Sequence, residues 1–307
     1  MNNPKVLVTG ASGYIAGLLL PALRERHELT LVDVRNTDRD GSTVPGVHIA
    51  DLVDHNREAY RSLFAGVDAV VHCGFTRAAD ETDPDQRFQA ESANVQMAYN
   101  VYQTSLEENV RRVVVASSNH AADYYEPLIL ERRMDFVFPE MRAFSDNYYG
   151  WAKEVYEHLG FVFAVGKAAQ GSAYSLNVAR DSGKKTAPEV QPLENVQIRI
   201  GGPRETDVSM CTPGDMVRVR RALAVYISQR DLSQLFIKSI ETEDIRDEFG
   251  VPFQVFYGIS NNSHAFWSIA NARRMIGYEP EDNSEFRFQK EIAGHMAAAK
   301  TQGTLVS

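Results

Sequence analysis

Short apolar runs alternate along this chain with longer stretches whose apolar residues recur at helical spacing. Lys5–Gly10 (KVLVTG) is β-branched and stops at a glycine, which predicts a buried strand. The following GYIAGLLLPALRER predicts a helix in which Pro21, beyond the first turn, makes a kink or falls where a bend is tolerated. Further strands are predicted at Glu28–Val34, Val47–Leu52 and Val67–Gly74, and a long helix at roughly Pro84–Asn109. A strand RRVVVASS (Arg111–Ser118), a helix at about Tyr148–Phe163, and strands at Val196–Gly202 and Pro252–Ser260 complete the series.

Strands that are apolar on both faces and alternate with helices predict an α/β protein, a Rossmann-type doubly wound parallel sheet with a small C-terminal substrate lobe. The predicted division is a dinucleotide-binding core over 1–200 and a mainly substrate-binding lobe over 201–307. Residues 166–194 are small and polar and read as an insertion or long loop within the core. Gly201–Gln234 mixes turns with a basic helix, the strand at about 252–258 returns to the core sheet, and Asn261 onward reads as a small helical lobe.

Composition narrows the function classes. Of 307 residues, 44% are hydrophobic and 24% charged, the balance of a soluble globular protein. A net charge of −9 leaves no basic surplus to neutralise phosphates, which argues against a nucleic-acid partner. Two cysteines, Cys73 and Cys211, make no disulfide framework and no metal-ligand spacing, so no metal is expected. The absence of a signal-peptide pattern at MNNPKVLVTG, and of any apolar run near membrane length, predicts a cytoplasmic protein with no membrane partner.

Three places carry candidate chemistry. In TGASGYIAG, Gly10 permits a tight turn and Gly13 lets backbone approach a pyrophosphate. Ser12, Tyr14 and Ile15 share that loop and helix start, and Ala16 or Gly17 admits close helix–strand packing. Asp33 ends the second strand, where a carboxylate accepts both ribose hydroxyls of NAD and repels the 2′-phosphate of NADP; Arg35 beside it pulls the other way. Asp51 and Leu52 follow the third strand as candidate adenine contacts, and Cys73 follows the fourth, near the nicotinamide. The strand ending at Ser118 finishes in two hydroxyls, an amide and an imidazole (Ser117, Ser118, Asn119, His120), at the end of a strand where open α/β sheets bind ligands. Tyr149 and Lys153 are four apart and share a helix face; among thirteen tyrosines this is the one Tyr-x-x-x-Lys. A free tyrosine, with a pKa of about 10, is a poor base at neutral pH, and a nearby ammonium favours its phenolate. A serine hydroxyl then holds the substrate oxygen.

Gly10-x-x-Gly13-x-x-Ala16, Asp33, Asn94, Ser118 and Tyr149-x-x-x-Lys153 together resemble the extended branch of the short-chain dehydrogenase/reductase superfamily, with the nucleotide-sugar epimerases and dehydratases. ASSNH followed by a Tyr-Tyr pair, RIGG at Arg199–Gly202, RALAVYISQRDL, and GISNNSHAFW with IGYEPEDN look like the uronate dehydrogenases of that branch. The resemblance implies oxidation of the anomeric hydroxyl of a free sugar or sugar acid to a lactone, with NAD as cofactor. It implies a catalytic set of Ser118, Tyr149, Lys153 and Asn94, with Lys153 also on the nicotinamide ribose. Thr76, Ser118, Asn119, His120, Gly202 and Arg221 would line the sugar site, Arg221 receiving a sugar carboxylate. That family usually has serine where Gly202 stands, and another substrate-contacting serine roughly where Thr76 stands. Members commonly pair through the helices carrying Asn94 and Tyr149, which leaves a homodimer or higher homo-oligomer open. The sequence also leaves open a nucleotide-sugar epimerase or dehydratase, and a dinucleotide-binding sensor without chemistry.

Overall fold

The computed structural model describes residues 3–166 and 192–303. The segment 167–191, which holds nearly all of the expected insertion, lies outside the described residues. The chain begins β1 (Lys5–Thr9), α1 (Tyr14–Arg26), β2 (Glu28–Asp33), β3 (Val47–Ile49), β4 (Ala69–His72), α2 (Pro84–Glu107) and β5 (Arg112–Ser118). It continues with α3 (Glu126–Leu130), α4 (Tyr148–Ala164), β6 (Glu194–Ile200), α5 (Met216–Val225), α6 (Gln229–Glu241) and β7 (Phe253–Gly258). The short helices α7 (Ala270–Ile276) and α8 (Ser284–Arg287) precede α9 (Gln289–Thr301).

The strands form one seven-stranded sheet in the order β3-β2-β1-β4-β5-β6-β7. β1 pairs in parallel with β2 and β4, with Val8 opposite Leu31 on one side and Val71 on the other. The order therefore reverses between β1 and β4, where Thr9 stands opposite His72, and such a reversal opens a crevice at the strands' carboxyl ends. Val6, Leu7, Val70, Val71, Val113, Val114 and Val115 are buried, as strands covered on both faces require. This is the doubly wound fold that the apolar runs predict.

Local chemistry sets the helix limits. Asp83 caps α2, accepting from the N–H groups of Asp85 and Gln86, and Pro84 follows where a missing N–H costs nothing. α1 runs through Pro21 as one helix. Pro21 and Gly17 both lie on its exposed side, so the Gly17 carbonyl that loses its partner is open to water.

The chain forms two compact units. The first comprises Met1–Ala116, Ala152–Gln197 and Thr242–Gln254 and includes β1 to β4. The second comprises Ser117–Trp151, Ile198–Glu241 and Val255–Ser307. Its core includes Ala122, Tyr125, Ile129, Val137, Tyr257 and Trp267. There the polar stretch after β5 folds as a 3-10 turn over Asn119–Tyr125 that leads into α3. Part of the region expected as turns with one basic helix is α6, which buries Leu232, Leu235, Phe236 and Ile240 at helical spacing. Asp231 of α6 is buried and accepts from the Ser260 hydroxyl at 2.6 Å and from the N–H groups of Glu281 and Asp282. Among the described residues, no helix is long and apolar enough to cross a membrane.

Candidate active site

In the first unit, the loop between β1 and α1 is built around backbone approach. Gly10 has φ +63°, and a Cβ there would stand 2.5 Å from the Cys73 carbonyl oxygen and 2.7 Å from the Gly74 nitrogen. Only glycine allows the end of β1 to lie this close to the backbone after β4. The Gly13 N–H donates to the Gly10 carbonyl at 2.9 Å. Gly13 caps α1 without a side chain, so the first-turn N–H groups face outward with positive dipole. The packing position is Ala16, fully buried, whereas Gly17 faces open space.

Asp33 belongs to this loop. One carboxylate oxygen accepts the Ser12 N–H at 2.9 Å, and the Ser12 hydroxyl donates to the Arg35 carbonyl at 2.8 Å. Ser12 thereby fixes the end of β2 against the glycine loop. The Arg39 guanidinium lies 4.9 Å from the centre of the Tyr14 ring, a cation–π contact at the start of α1, one residue before Ile15. Asp51 accepts the Val53 N–H, and the Asn100 amide donates to the carbonyls of Leu52, Val53 and Asp54 at 2.9, 3.3 and 3.1 Å. A glycine cradle that a Cβ would fill, a helix start free of side-chain caps, and a carboxylate ending β2 together fit a dinucleotide.

Asn94 and Thr76 form a reciprocal pair. The Thr76 N–H donates to Asn94 Oδ1 at 2.8 Å, and Asn94 Nδ2 donates to the Thr76 carbonyl at 2.9 Å and to Glu91 at 3.1 Å. Asn94 thus holds the segment after β4 through its oxygen and one amide hydrogen, and the other hydrogen engages Glu91 within α2. His72 is buried and shares a 2.7 Å hydrogen bond with the Thr9 hydroxyl. Burial first, and Lys153 second, push its pKa down to about 3, so it is neutral. Burial pushes the Cys73 thiol up to about 12, with Lys153 opposing, so Cys73 is no nucleophile. Lys153 is buried, and its ammonium donates to the Ala116 carbonyl at 3.4 Å and lies 4.6 Å from the Tyr156 ring centre. Burial lowers its pKa to about 8, against the raising influence of Glu91, Cys73 and Glu157.

The second unit carries a polar cluster at the end of β5. Ser118 is the cap of the 3-10 turn, its oxygen accepting the His120 N–H at 3.2 Å, so its own proton remains to be donated. The His120 ring meets Tyr149 edge-on at 5.7 Å, and its Nδ1 lies 2.7 and 2.9 Å from the two Asp123 oxygens. Asn147 donates to Asp123 at 3.0 Å and accepts the Gly150 N–H in the first turn of α4. A Cβ at Gly150 would collide with the His120 carbonyl, so glycine lets α4 begin against this turn. Asn119 is buried and donates to Glu126 at 3.2 Å. Arg221 of α5 grips the same Glu126 with two bonds of 2.8 and 3.1 Å. Gly202 donates its N–H to the Val225 carbonyl at 2.7 Å, and a Cβ there would stand 3.0 Å from Asp207 and from Val225.

A family model described as the NAD dependent epimerase/dehydratase family matches residues 6–159. The chain belongs to this family. It is 26% identical to an NAD-dependent glucose-6-phosphate dehydrogenase of Haloferax volcanii over 95% of this chain and 98% of that protein. It is 27% identical to an L-arabinose 1-dehydrogenase (NAD(P)(+)) of the same organism, over 91% and 97%. Its fold is similar to the solved structure of a mutated uronate dehydrogenase, with a TM-score of 0.66 and 25% identity over 95% of this chain and 86% of that one. The match spans the glycine loop, β5 and the start of α4.

The structure groups the expected residues as Gly10, Ser12, Gly13 and Asp33; Thr76 with Asn94; Ser118, His120 and Tyr149; and Asn119 with Arg221 through Glu126. Sequence reasoning missed Asp123, Glu126, Asn147 and Asn100. For the first two a signal was present: carboxylates three residues after His120 and seven after Asn119, in a short segment leaving a strand end. Asn100 and Asn147 carried none, because their partners are distant or are backbone carbonyls.

Proposed function

We propose that the protein is an NAD-dependent dehydrogenase that oxidises the anomeric hydroxyl of a free sugar or sugar acid, giving a lactone. The observation that carries this reading is the cluster at the β5 end: a serine hydroxyl with a proton to donate and a tyrosine one helical turn from a buried lysine. Relatives named for oxidising glucose-6-phosphate and L-arabinose support a sugar substrate.

Gly10, Gly13 and the start of α1 would hold the pyrophosphate, and Asp33 the adenosine ribose. NAD, when bound, accepts the hydrogen and electron pair that leave the sugar carbon. The protein's own residues handle the proton. Tyr149 takes it from the reacting hydroxyl, Ser118 donates to that oxygen and holds it in line, and the Lys153 charge favours the phenolate of Tyr149. His120 packs its ring against Tyr149 and limits where the phenol points. The Tyr149→Phe protein is the test: it should bind NAD with unchanged affinity and lose at least about a thousandfold in kcat. Undiminished turnover would remove Tyr149 and this mechanism.

A further inference from the structure

We propose that Glu126 sets the substrate class by serving as the resident counter-ion of Arg221, so that the protein takes a neutral aldose and discriminates against sugars that carry a carboxylate. This inference rests on the dehydrogenase reading and refines its substrate.

Arg221 meets the polar stretch after β5 through Glu126, which also bonds Asn119. Its Nε and one terminal nitrogen donate to separate oxygens of Glu126, the forked geometry in which guanidinium and carboxylate match best. The Glu126 side chain is 13% exposed and that of Arg221 33%. One Glu126 oxygen also accepts from Asn119. Glu126 is therefore anchored from two directions, by a residue next to Ser118 and by one on α5.

An incoming sugar carboxylate would have to take Arg221 from Glu126, leaving a carboxylate that is only 13% exposed without its cation. It would also enter beside Asp123, which is occupied by His120 and Asn147. Here the carboxylates of Asp123 and Glu126 outnumber the one guanidinium of Arg221. Uncompensated buried charge and like-charge approach both act against an anionic substrate, which is specificity by repulsion. A neutral sugar meets none of this. Its hydroxyls are donors, and a carboxylate oxygen can accept more than one of them. Glu126 thus rejects an anionic sugar and still leaves an acceptor for a neutral one.

The test compares sugars that differ only in CH2OH against carboxylate: glucose with glucuronate, and galactose with galacturonate. NADH formation should show kcat/KM at least about tenfold higher for the neutral member of the preferred pair. Calorimetric titration of the same sugars into NAD-loaded Tyr149→Phe protein should rank them in the same order without turnover. Glu126→Gln keeps the shape and frees Arg221, and it should move the kcat/KM ratio toward the uronate by about tenfold or more. A wild-type preference for the uronate in rate or binding overturns this inference and leaves the dehydrogenase standing. If neither member of any pair binds or turns over, the dehydrogenase reading itself fails and this inference falls with it. The wild-type comparison needs no variant to fold.

Discussion

The His120 imidazole and the Asp123 carboxylate face each other across one 3-10 turn, Nδ1 lying 2.7 Å from one oxygen and 2.9 Å from the other. An ionised carboxylate only accepts, so Nδ1 carries a proton. In the neutral ring Nε2 would then be the acceptor beside Tyr149, suited to a sugar hydroxyl. Replacing Asp123 by Asn keeps one acceptor oxygen but puts an N–H donor in place of the other, so Nδ1 is no longer held in one tautomer. The Asp123→Asn protein should lose about tenfold or more in kcat/KM with NAD affinity unchanged. Nitrogen NMR of the ring should show the Nδ1-protonated tautomer in the wild type and a mixture in the variant.

Two glycines seven residues apart should respond in opposite directions to the same methyl group. Gly10→Ala places a Cβ 2.5 Å from backbone at φ +63° and should cost at least about 1–2 kcal/mol while abolishing NAD binding. Gly17→Ala, helical and facing open space, should stabilise by about 0.5–1 kcal/mol. Thermal unfolding with an NAD titration of each protein separates the two effects.

Lys153 is held in the first unit at a cost to stability. Its folded pKa of about 8 lies below the ordinary value of 10.5, so between these limits the unfolded chain binds the extra proton and stability rises with pH. Below pH 8 the penalty is present in full. Lys153→Met should therefore be the more stable protein at pH 7, by on the order of 3 kcal/mol, and inactive. The difference should shrink as pH rises from about 8 toward 10.5. Unfolding midpoints of both proteins across that range check the sign.

Asn100 has no expected contact with a substrate, yet its amide holds three consecutive carbonyls after β3. Asn100→Ala should destabilise by about 1–3 kcal/mol, since buried acceptors lose their donor. If Asp51 and Leu52 meet the adenine, the KM for NAD should rise while that for sugar stays constant. A change confined to the sugar would separate this loop from the cofactor.

The sheet was legible because β1, β4 and β5 are compact apolar runs ending near a glycine or a serine, and β1 with its Gly10–Gly13 loop is the clearest case. The pairing Tyr149-x-x-x-Lys153 was readable because helical spacing converts a sequence interval into a shared face. The α6 helix was hidden by Arg230, Asp231 and Lys238, which break up its apolar stripe. Asp231 looks like a surface charge in the sequence and is buried in the fold, satisfied by residues from 260 and 281–282. The Arg221 pairing was illegible for a similar reason: its partner is ninety-five positions away, and a run of arginines looks solvated until one of them turns inward.

The approach of Gly10 to Cys73 has a consequence for how this protein can vary. Gly10 reads only the main chain at position 73, because the atoms it would strike are a carbonyl oxygen and carbon and the next nitrogen. A change of side chain at position 73 therefore leaves this contact as it is, whereas a change at position 10 does not. The two sides of one contact are thus constrained differently: position 10 by its own lack of a side chain, position 73 only through its main chain.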